Sequence, residues 1–274
     1  MTESILRFLS LHGARLCAPI PLRDCTIVRP YKLSRAGFEN LDGLYAVILA
    51  IPYLTRHKSK NLSAYAIPRD YHGFYKEFFG SVLPLLEAQY PGYRFCGFAD
   101  DSPIDEREAA AKAGLGVFGD NGMLITKQYS SYVFLGEIIT DLPMPEAKAG
   151  PVGHCEGCGR CKVACPMGEL GQCLSALTQK KGELTESEAE AIKKYGTVWG
   201  CDICQEVCPH TLRAAEAGTL YSDVDYFLEA NLPCLSAELL DEMSDEEFAR
   251  RAYSWRGRNT IGRNLRIFEE PKKN

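Results

Sequence analysis

An α+β fold is what this sequence predicts, and three observations carry the expectation. The stretch Leu44–Ile51 is apolar throughout and rich in β-formers, which suits a strand buried on both faces. Helical periodicities over residues 2–12 and 74–90 interleave with it and with further β-rich stretches. Eight of the twelve cysteines then gather between Cys155 and Cys208 in short-spaced runs. The expected architecture is a mixed-sheet domain over residues 1–145, a small cysteine-rich module over 146–215 and a C-terminal helical segment over 216–274.

In order, Ile5, Leu6, Phe8, Leu9 and Leu11 predict a short amphipathic helix over residues 2–12. Cys17 and Cys25 lie in a proline-punctuated segment with no partner spacing and read as small buried apolar groups. After the central strand, residues 56–63 are basic and polar and read as a loop. The helix Phe74–Tyr90 carries Pro84 as a kink or break. Arg94–Ala99 is a second strand ending at Asp100-Asp101. Ser102 is then the expected N-cap, with Pro103 at the first helical position, Asp105 and Glu106 in the first turn and Gly114 as the stop. Met123–Thr126 and Ser131–Thr140 read as strands of the same sheet. Residues 141–154 form a linker, and Thr185-x-x-Glu188 and Ser244-x-x-Glu247 open two later helices.

With 274 residues, 46% hydrophobic, 24% charged and a net charge of −5, the chain has room for about two domains. That balance argues against nonspecific nucleic-acid binding by the whole surface. Arg7 and His12 interrupt the apolar positions of MTESILRFLSLHG, so no signal peptide is expected. Leu44–Leu54 is too short to span a bilayer. A cytoplasmic protein with no membrane partner is the expectation, and a reducing compartment suits free thiolates.

The cysteine runs are Cys155-x2-Cys158-x2-Cys161-x3-Cys165-Pro166 and Cys201-x2-Cys204-x3-Cys208-Pro209, with Cys173 between them. The first run is the bacterial ferredoxin pattern, in which three thiolates hold one [4Fe–4S] cluster and the fourth crosses to another. Two such clusters need eight thiolates, and these positions supply eight. Ferredoxin logic groups Cys155, Cys158, Cys161 and Cys208 around one cluster, and Cys165, Cys173, Cys201 and Cys204 around the other. Structural zinc also uses Cys-x2-Cys pairs, but the long run fits a cubane better than a tetrahedral ion.

Four further groups stand out. His72 follows Asp70, but the Asp-x-His-x-x-Gly pattern of one class of cobalamin proteins fails, with Tyr75 where glycine should be. Asp100 sits where a strand ends and a helix begins, a common place for a catalytic carboxylate; the alternative is that Asp100 and Asp101 satisfy helix-start amides. Gly114, Gly116, Gly119 and Gly122 make a loop whose backbone can approach a ligand closely. Near the C-terminus, Tyr253-Ser-Trp-Arg-Gly-Arg-Asn-Thr-Ile-Gly-Arg-Asn264 interleaves arginines with aromatics. That suits RNA contact by Arg256, Arg258 and Arg263, or a solvated helix balancing the acidic stretch 221–249.

From about Tyr45 to Asn264 the chain resembles the epoxyqueuosine reductase family of tRNA queuosine synthesis. The likeness rests on Tyr65-Ala-x-x-Arg69-Asp70-Tyr71-His72, Asp100-x-x-Pro103-Ile-x-Glu106-Arg107, and Ala113-Gly-Leu-Gly116 with Gly119 and Asn121. Phe134-Leu-Gly-Glu137, the eight cysteines and Gly200-Cys-Asp-x-Cys-Gln205 follow in order. The resemblance implies a cobalamin held base-off beside the nearer cluster, with Arg69, Asp70, His72, Gly114, Gly116, Gly119 and Asn121 as cofactor-binding positions. It implies electrons from an external donor such as ferredoxin or flavodoxin, tRNA as partner, and Asp100 as proton donor, with Asp101 the near neighbour most easily confused with it. Val117 and Asp120 stand where the family usually has Trp and Lys. The chain also ends soon after the Arg-rich segment, as expected of a shortened member without the family's helical-repeat tail. Two alternatives accompany this expectation: a related cobalamin and iron–sulfur reductase of a non-RNA substrate, dehalogenation included, and a two-cluster electron carrier.

Overall fold

The computed structural model describes residues 2–168 and 172–269, so residues 1, 169–171 and 270–274 of the expected segments lie outside the described residues. The chain divides into two compact units, residues 1–52 with 72–158, and residues 53–71 with 159–274.

The first unit is built on a four-stranded sheet. Helix α1 (Thr2–Leu11) precedes β1 (Leu16–Pro21); α2 (Pro30–Arg35) and β2 (Tyr45–Pro52) follow. Then come α3 (Tyr71–Gln89), β3 (Phe95–Phe98), α4 (Glu106–Lys112), the short β4 (Val117–Phe118) and β5 (Leu124–Ile125), and β6 (Val133–Thr140). The strand order is β1-β2-β6-β3, and every neighbouring pair is antiparallel. The expected mixed sheet is thus corrected to an antiparallel one. Both β2 and β3 run antiparallel to β6, so they share a direction, but β6 occupies the place between them.

Directly paired residues lie on the same sheet face, which separates two packing surfaces. Gly97 and Gly136 belong to one face, where an added Cβ would come within 2.5 Å of the Phe79 ring and 2.6 Å of the Tyr75 ring of α3. The other face carries Ala46, Ile48, Ala50, Leu135 and Ile139 against Ala109 and Ala110 of α4. Cover on both faces explains why β2 is buried at all but its first residue. β1 escaped the sequence reading because Pro19 and Pro21 interrupt it; on an edge strand proline costs no essential ladder bond. Residues 124–125 pair only with 117–118, in a separate ribbon, rather than joining the sheet as expected.

In the second unit, residues 53–71 pack with the later helices. The core there joins Leu62, Ala66 and Ile67 to Val198, Trp199, Leu240, Phe248, Tyr253 and Ile261. Backbone bonds from Ser63 N to Trp199 O and from Asp70 N to Arg250 O fasten the segment at 2.8 Å each. Helices α5 (Arg160–Ala164), with Cys161, and α8 (Ile203–Glu206), with Cys204, flank α6 (Leu174–Thr178) and α7 (Glu186–Tyr195) in sequence. After them come α9 (Pro209–Glu216), α10 (Asp225–Leu228), α11 (Ala237–Glu242), α12 (Asp245–Ala249) and α13 (Arg258–Arg266). The Thr185–Glu188 and Ser244–Glu247 capping boxes form as expected.

Candidate active site

Asp100 follows the last residues of β3 and has φ 63°, a left-handed conformation unusual for a residue with a side chain. The Asp101 amide donates to Ala99 O at 2.7 Å, so Asp100 is the central residue of a tight three-residue turn. Its own amide donates to Glu106 Oε1 at 3.1 Å. The turn cannot drift, because the loop behind it is sewn to residues 26–29. Val28 N and Arg29 N both donate to Pro103 O, Asp105 N donates to Thr26 O, and the Arg29 guanidinium donates to Ser102 O. Strain held by such surroundings is a common mark of a functional position.

The two adjacent aspartates have different partners. Asp101 is ion-paired with Lys32 and, at 3.4 Å, with Arg29. The Asp100 Oδ2 instead lies 3.5 Å from His72 Nε2 in the first turn of α3, and both side chains remain at least half exposed. Neither aspartate caps α4. That task falls to Asp105, whose carboxylate accepts from Arg107 N and Glu108 N. The expected Ser102 cap is therefore corrected: the Ser102 hydroxyl is buried and donates to Glu137 Oε1.

Two carboxyls, Glu106 and Glu137, have a chemistry that local pattern does not reveal. Glu137 is fully buried in β6, opposite Ile48 and Phe98. Burial drives its pKa well above the usual carboxyl value, and the nearby Glu106 charge raises it further. Glu106 is pushed up to about 7, again mainly by burial. A single acid inside an apolar strand was the available signal; its partner lies too far along the chain for spacing to reveal.

The glycine-rich loop makes the β4–β5 ribbon. Gly116 has no room for a Cβ, which would fall 2.4 Å from Ile125 O, and at Gly119 it would fall 2.4 Å from Asn121 Oδ1. Asn121 Oδ1 accepts Met123 N, so these positions first serve the turn itself. Gly114 ends α4 at φ 82°. The ribbon also holds the first cysteine: Cys155 N donates to Phe118 O, and Asp120 N donates to Cys155 Sγ at 3.4 Å. Arg69 and Asp70 belong to the second unit. Arg69 stacks 3.8 Å from the Tyr226 ring centroid and pairs with Glu229, and the Asp70 carbonyl accepts from the Tyr226 hydroxyl.

None of the twelve cysteines is tied in a disulfide. Among the described residues, no group of three or more His, Cys, Asp or Glu side chains stands close enough to hold a single metal ion. The sulfurs of a cubane are spread around four irons, so its ligands need not converge on one point. Cys165 and Cys201 flank the same Met167–Leu174–Leu177–Ile192 core. Burial raises the Cys201 thiol to about 11, with smaller contributions from Asp202, Cys204 and Cys173. This donor set, all thiols and none tied in a disulfide, fits an iron–sulfur cluster.

Of the three arginines, Arg258 donates to Leu240 O and Met243 O at the end of α11, and Arg263 donates to Lys180 O and Gly182 O. Arg256 lies 3.8 Å over the exposed Trp255 ring.

The fold and the cysteine set define a two-unit α+β protein with eight of its twelve cysteines gathered between Cys155 and Cys208. Two solved structures share the fold at a TM-score of 0.73, each covering 97% of this chain and 80% of the other. One is epoxyqueuosine reductase from Streptococcus thermophilus, at 23% identity. The second is an epoxyqueuosine reductase with an epoxyqueuosine-modified tRNA-Tyr stem loop, at 24% identity. The epoxyqueuosine reductase of Gloeobacter violaceus is 36% identical over 226 residues, 77% of this chain and 70% of its own length. That of Lactococcus garvieae is 32% identical over 228 residues, 78% of this chain and 62% of its own length. The chain belongs to the epoxyqueuosine reductase family, a family of oxidoreductases. No family model matches it. Among the described residues no helix is long and apolar enough to cross a membrane.

Proposed function

We propose that the chain is a cobalamin-dependent reductase, fed by two [4Fe–4S] clusters, that converts epoxyqueuosine in tRNA to queuosine. The kinship with the Gloeobacter violaceus enzyme carries this reading, and the tRNA-bound neighbour supports the choice of substrate. In functional terms residues 1–145 hold cobalamin and substrate, 146–215 the clusters, and 216–274 contribute tRNA contact. Cys155, Cys158, Cys161 and Cys208 would hold one cluster, and Cys165, Cys173, Cys201 and Cys204 the other. Bound cobalamin would supply the reducing metal centre, and clusters held by these cysteines would supply electrons from an external donor such as ferredoxin or flavodoxin.

The protein's own contribution is the proton. Removing an epoxide oxygen as water consumes two electrons and two protons, and Asp100 delivers the proton to the departing oxygen. His72, 3.5 Å away, orients the Asp100 carboxyl. Asp101, paired with Arg29 and Lys32, is not the acid. The Asp120 amide donates to Cys155 Sγ, a hydrogen bond of the kind that tunes cluster potential.

The test is Asp100→Asn: bound iron and cobalamin unchanged, turnover lost. Wild-type turnover in that variant removes Asp100 from the mechanism. A non-RNA substrate is the second reading, because the Arg258 and Arg263 side chains are spent on backbone carbonyls within their own unit. Arg256→Glu separates the two. On tRNA it lowers affinity and flattens the salt dependence; unchanged affinity and slope favour the other substrate class.

A further inference from the structure

We propose that Glu106 and Glu137 form a proton-sharing carboxyl pair that acts as a positioning device for Asp100. The pair links the sheet interior to the turn that carries the acid. The inference rests on the reading of Asp100 as proton donor, and the tests below separate the two.

The geometry begins in the sheet. Glu137 is fully buried, and its strand-face neighbours are apolar: Leu135, Ile139, Ile48 and Phe98. An ionised carboxylate there would be strongly disfavoured without compensating donors. One oxygen has a donor, the Ser102 hydroxyl. Among the described residues the other, Oε2, is buried without a conventional partner. The group within hydrogen-bonding reach of Glu137 is the Glu106 carboxyl. Two carboxylates cannot bond to each other, since both are acceptors; one must keep its proton. That bond favours the proton on Glu137 and the charge on Glu106. Glu106 Oε1 in turn accepts the amide of Asp100. The order is therefore Ser102 hydroxyl to Glu137, Glu137 hydroxyl to Glu106, and Asp100 N–H to Glu106. The last bond grips a residue at φ 63°, which needs such support.

Other charged groups face the pair from each side. Asp100 and Asp105 act on Glu106 and raise its pKa. Cys96 of β3 and Cys25 feel the Glu137 charge, and Cys25 also feels Lys112, Asp24 and Glu108. His72 faces Asp100 from α3. The acidic neighbours reinforce retention of a proton by the pair.

Glu137→Leu fills the same space without polar atoms, so a merely structural role predicts an unchanged or raised Tm and normal turnover. The positioning role predicts retained iron and cobalamin, unchanged KM and a kcat lower by about tenfold or more. Glu137→Gln, which can still donate to Glu106 and accept from Ser102, recovers most of that loss. Wild-type kcat in Glu137→Leu overturns the proposal, as does a Glu137→Gln variant equally impaired. Infrared spectroscopy keeps the test open if the leucine variant fails to fold. The wild-type protein at about pH 8 should show a protonated-carboxyl band that vanishes in Glu137→Gln; absence of that band overturns the proposal. If instead Asp100→Asn turns over normally while the band is present, the reading of Asp100 fails and the carboxyl pair stands.

Discussion

Replacing Asp100 by glycine, asparagine and alanine separates the backbone's contribution from the side chain's. At φ 63° alanine meets the full steric penalty of the left-handed region, about 1 kcal/mol or more. Asparagine tolerates this region better, and glycine occupies it freely. Glycine also makes the unfolded chain more flexible, which returns about 0.4–1 kcal/mol of its advantage. The lost contact with His72 is common to glycine and alanine and, being exposed, is worth at most about 1 kcal/mol. Glycine and asparagine should therefore be nearly as stable as wild type, with alanine below glycine by the remainder, about 0.5 kcal/mol or more. For a chain of this length that is a difference in Tm of about 1–2 °C or more. Thermal melts of the three variants, with turnover measured in parallel, are the assay. All three should lose turnover while stability follows the order glycine, asparagine, alanine. An alanine variant more stable than the glycine variant would refute the strained-turn argument, because relaxation of the backbone would have removed the penalty.

Gly97→Ala should destabilise the first unit by about 1–3 kcal/mol, since its Cβ would meet the Phe79 ring. Urea unfolding measures the loss, and Phe79→Leu in the same background should recover part of it. Asp202→Ala should cost about 3–5 kcal/mol, because it strips acceptors from the Ser63 hydroxyl, the Ala64 amide and the Gln205 side chain, all in buried surroundings. Asp202→Asn, which keeps an acceptor, should cost less in the same melts. The pH dependence follows from the raised carboxyls. Glu106 binds its proton more tightly folded than unfolded, so its stabilising contribution is complete below about 4.5 and is lost as pH rises through about 7. Glu106→Gln should remove that decline from the difference in Tm between pH 5 and pH 8, roughly the window the shift spans; an identical pH dependence in variant and wild type would contradict it.

Much of this architecture was legible from local pattern. The burial of β2, the helix carrying Pro84 and both capping boxes depend on residues close in sequence. What stayed hidden depends on distant partners. Ser102 looked like a helix cap because Pro103 follows it, but its hydroxyl is claimed by Glu137, and Asp105 takes its place. Asp100 and Asp101 were indistinguishable until Arg29 and Lys32 from α2 and the residue before it fastened one and His72 approached the other. The strand direction of β3 follows from the crossover through α3, but the arrival of β6 between β2 and β3 is a pairing choice that no local pattern records. The cysteine runs are plain in the sequence because their spacing is a local pattern, and their role as cluster ligands belongs to the proposal.

The most direct test of the proposed activity uses the whole chain, reconstituted anaerobically with iron, sulfide and cobalamin. It is then reduced and incubated with an epoxyqueuosine-containing tRNA stem loop. Mass spectrometry of the released nucleosides should show epoxyqueuosine converted to a product lighter by one oxygen atom. Unchanged epoxyqueuosine, in protein that carries about eight irons and binds base-off cobalamin, would contradict the assigned substrate.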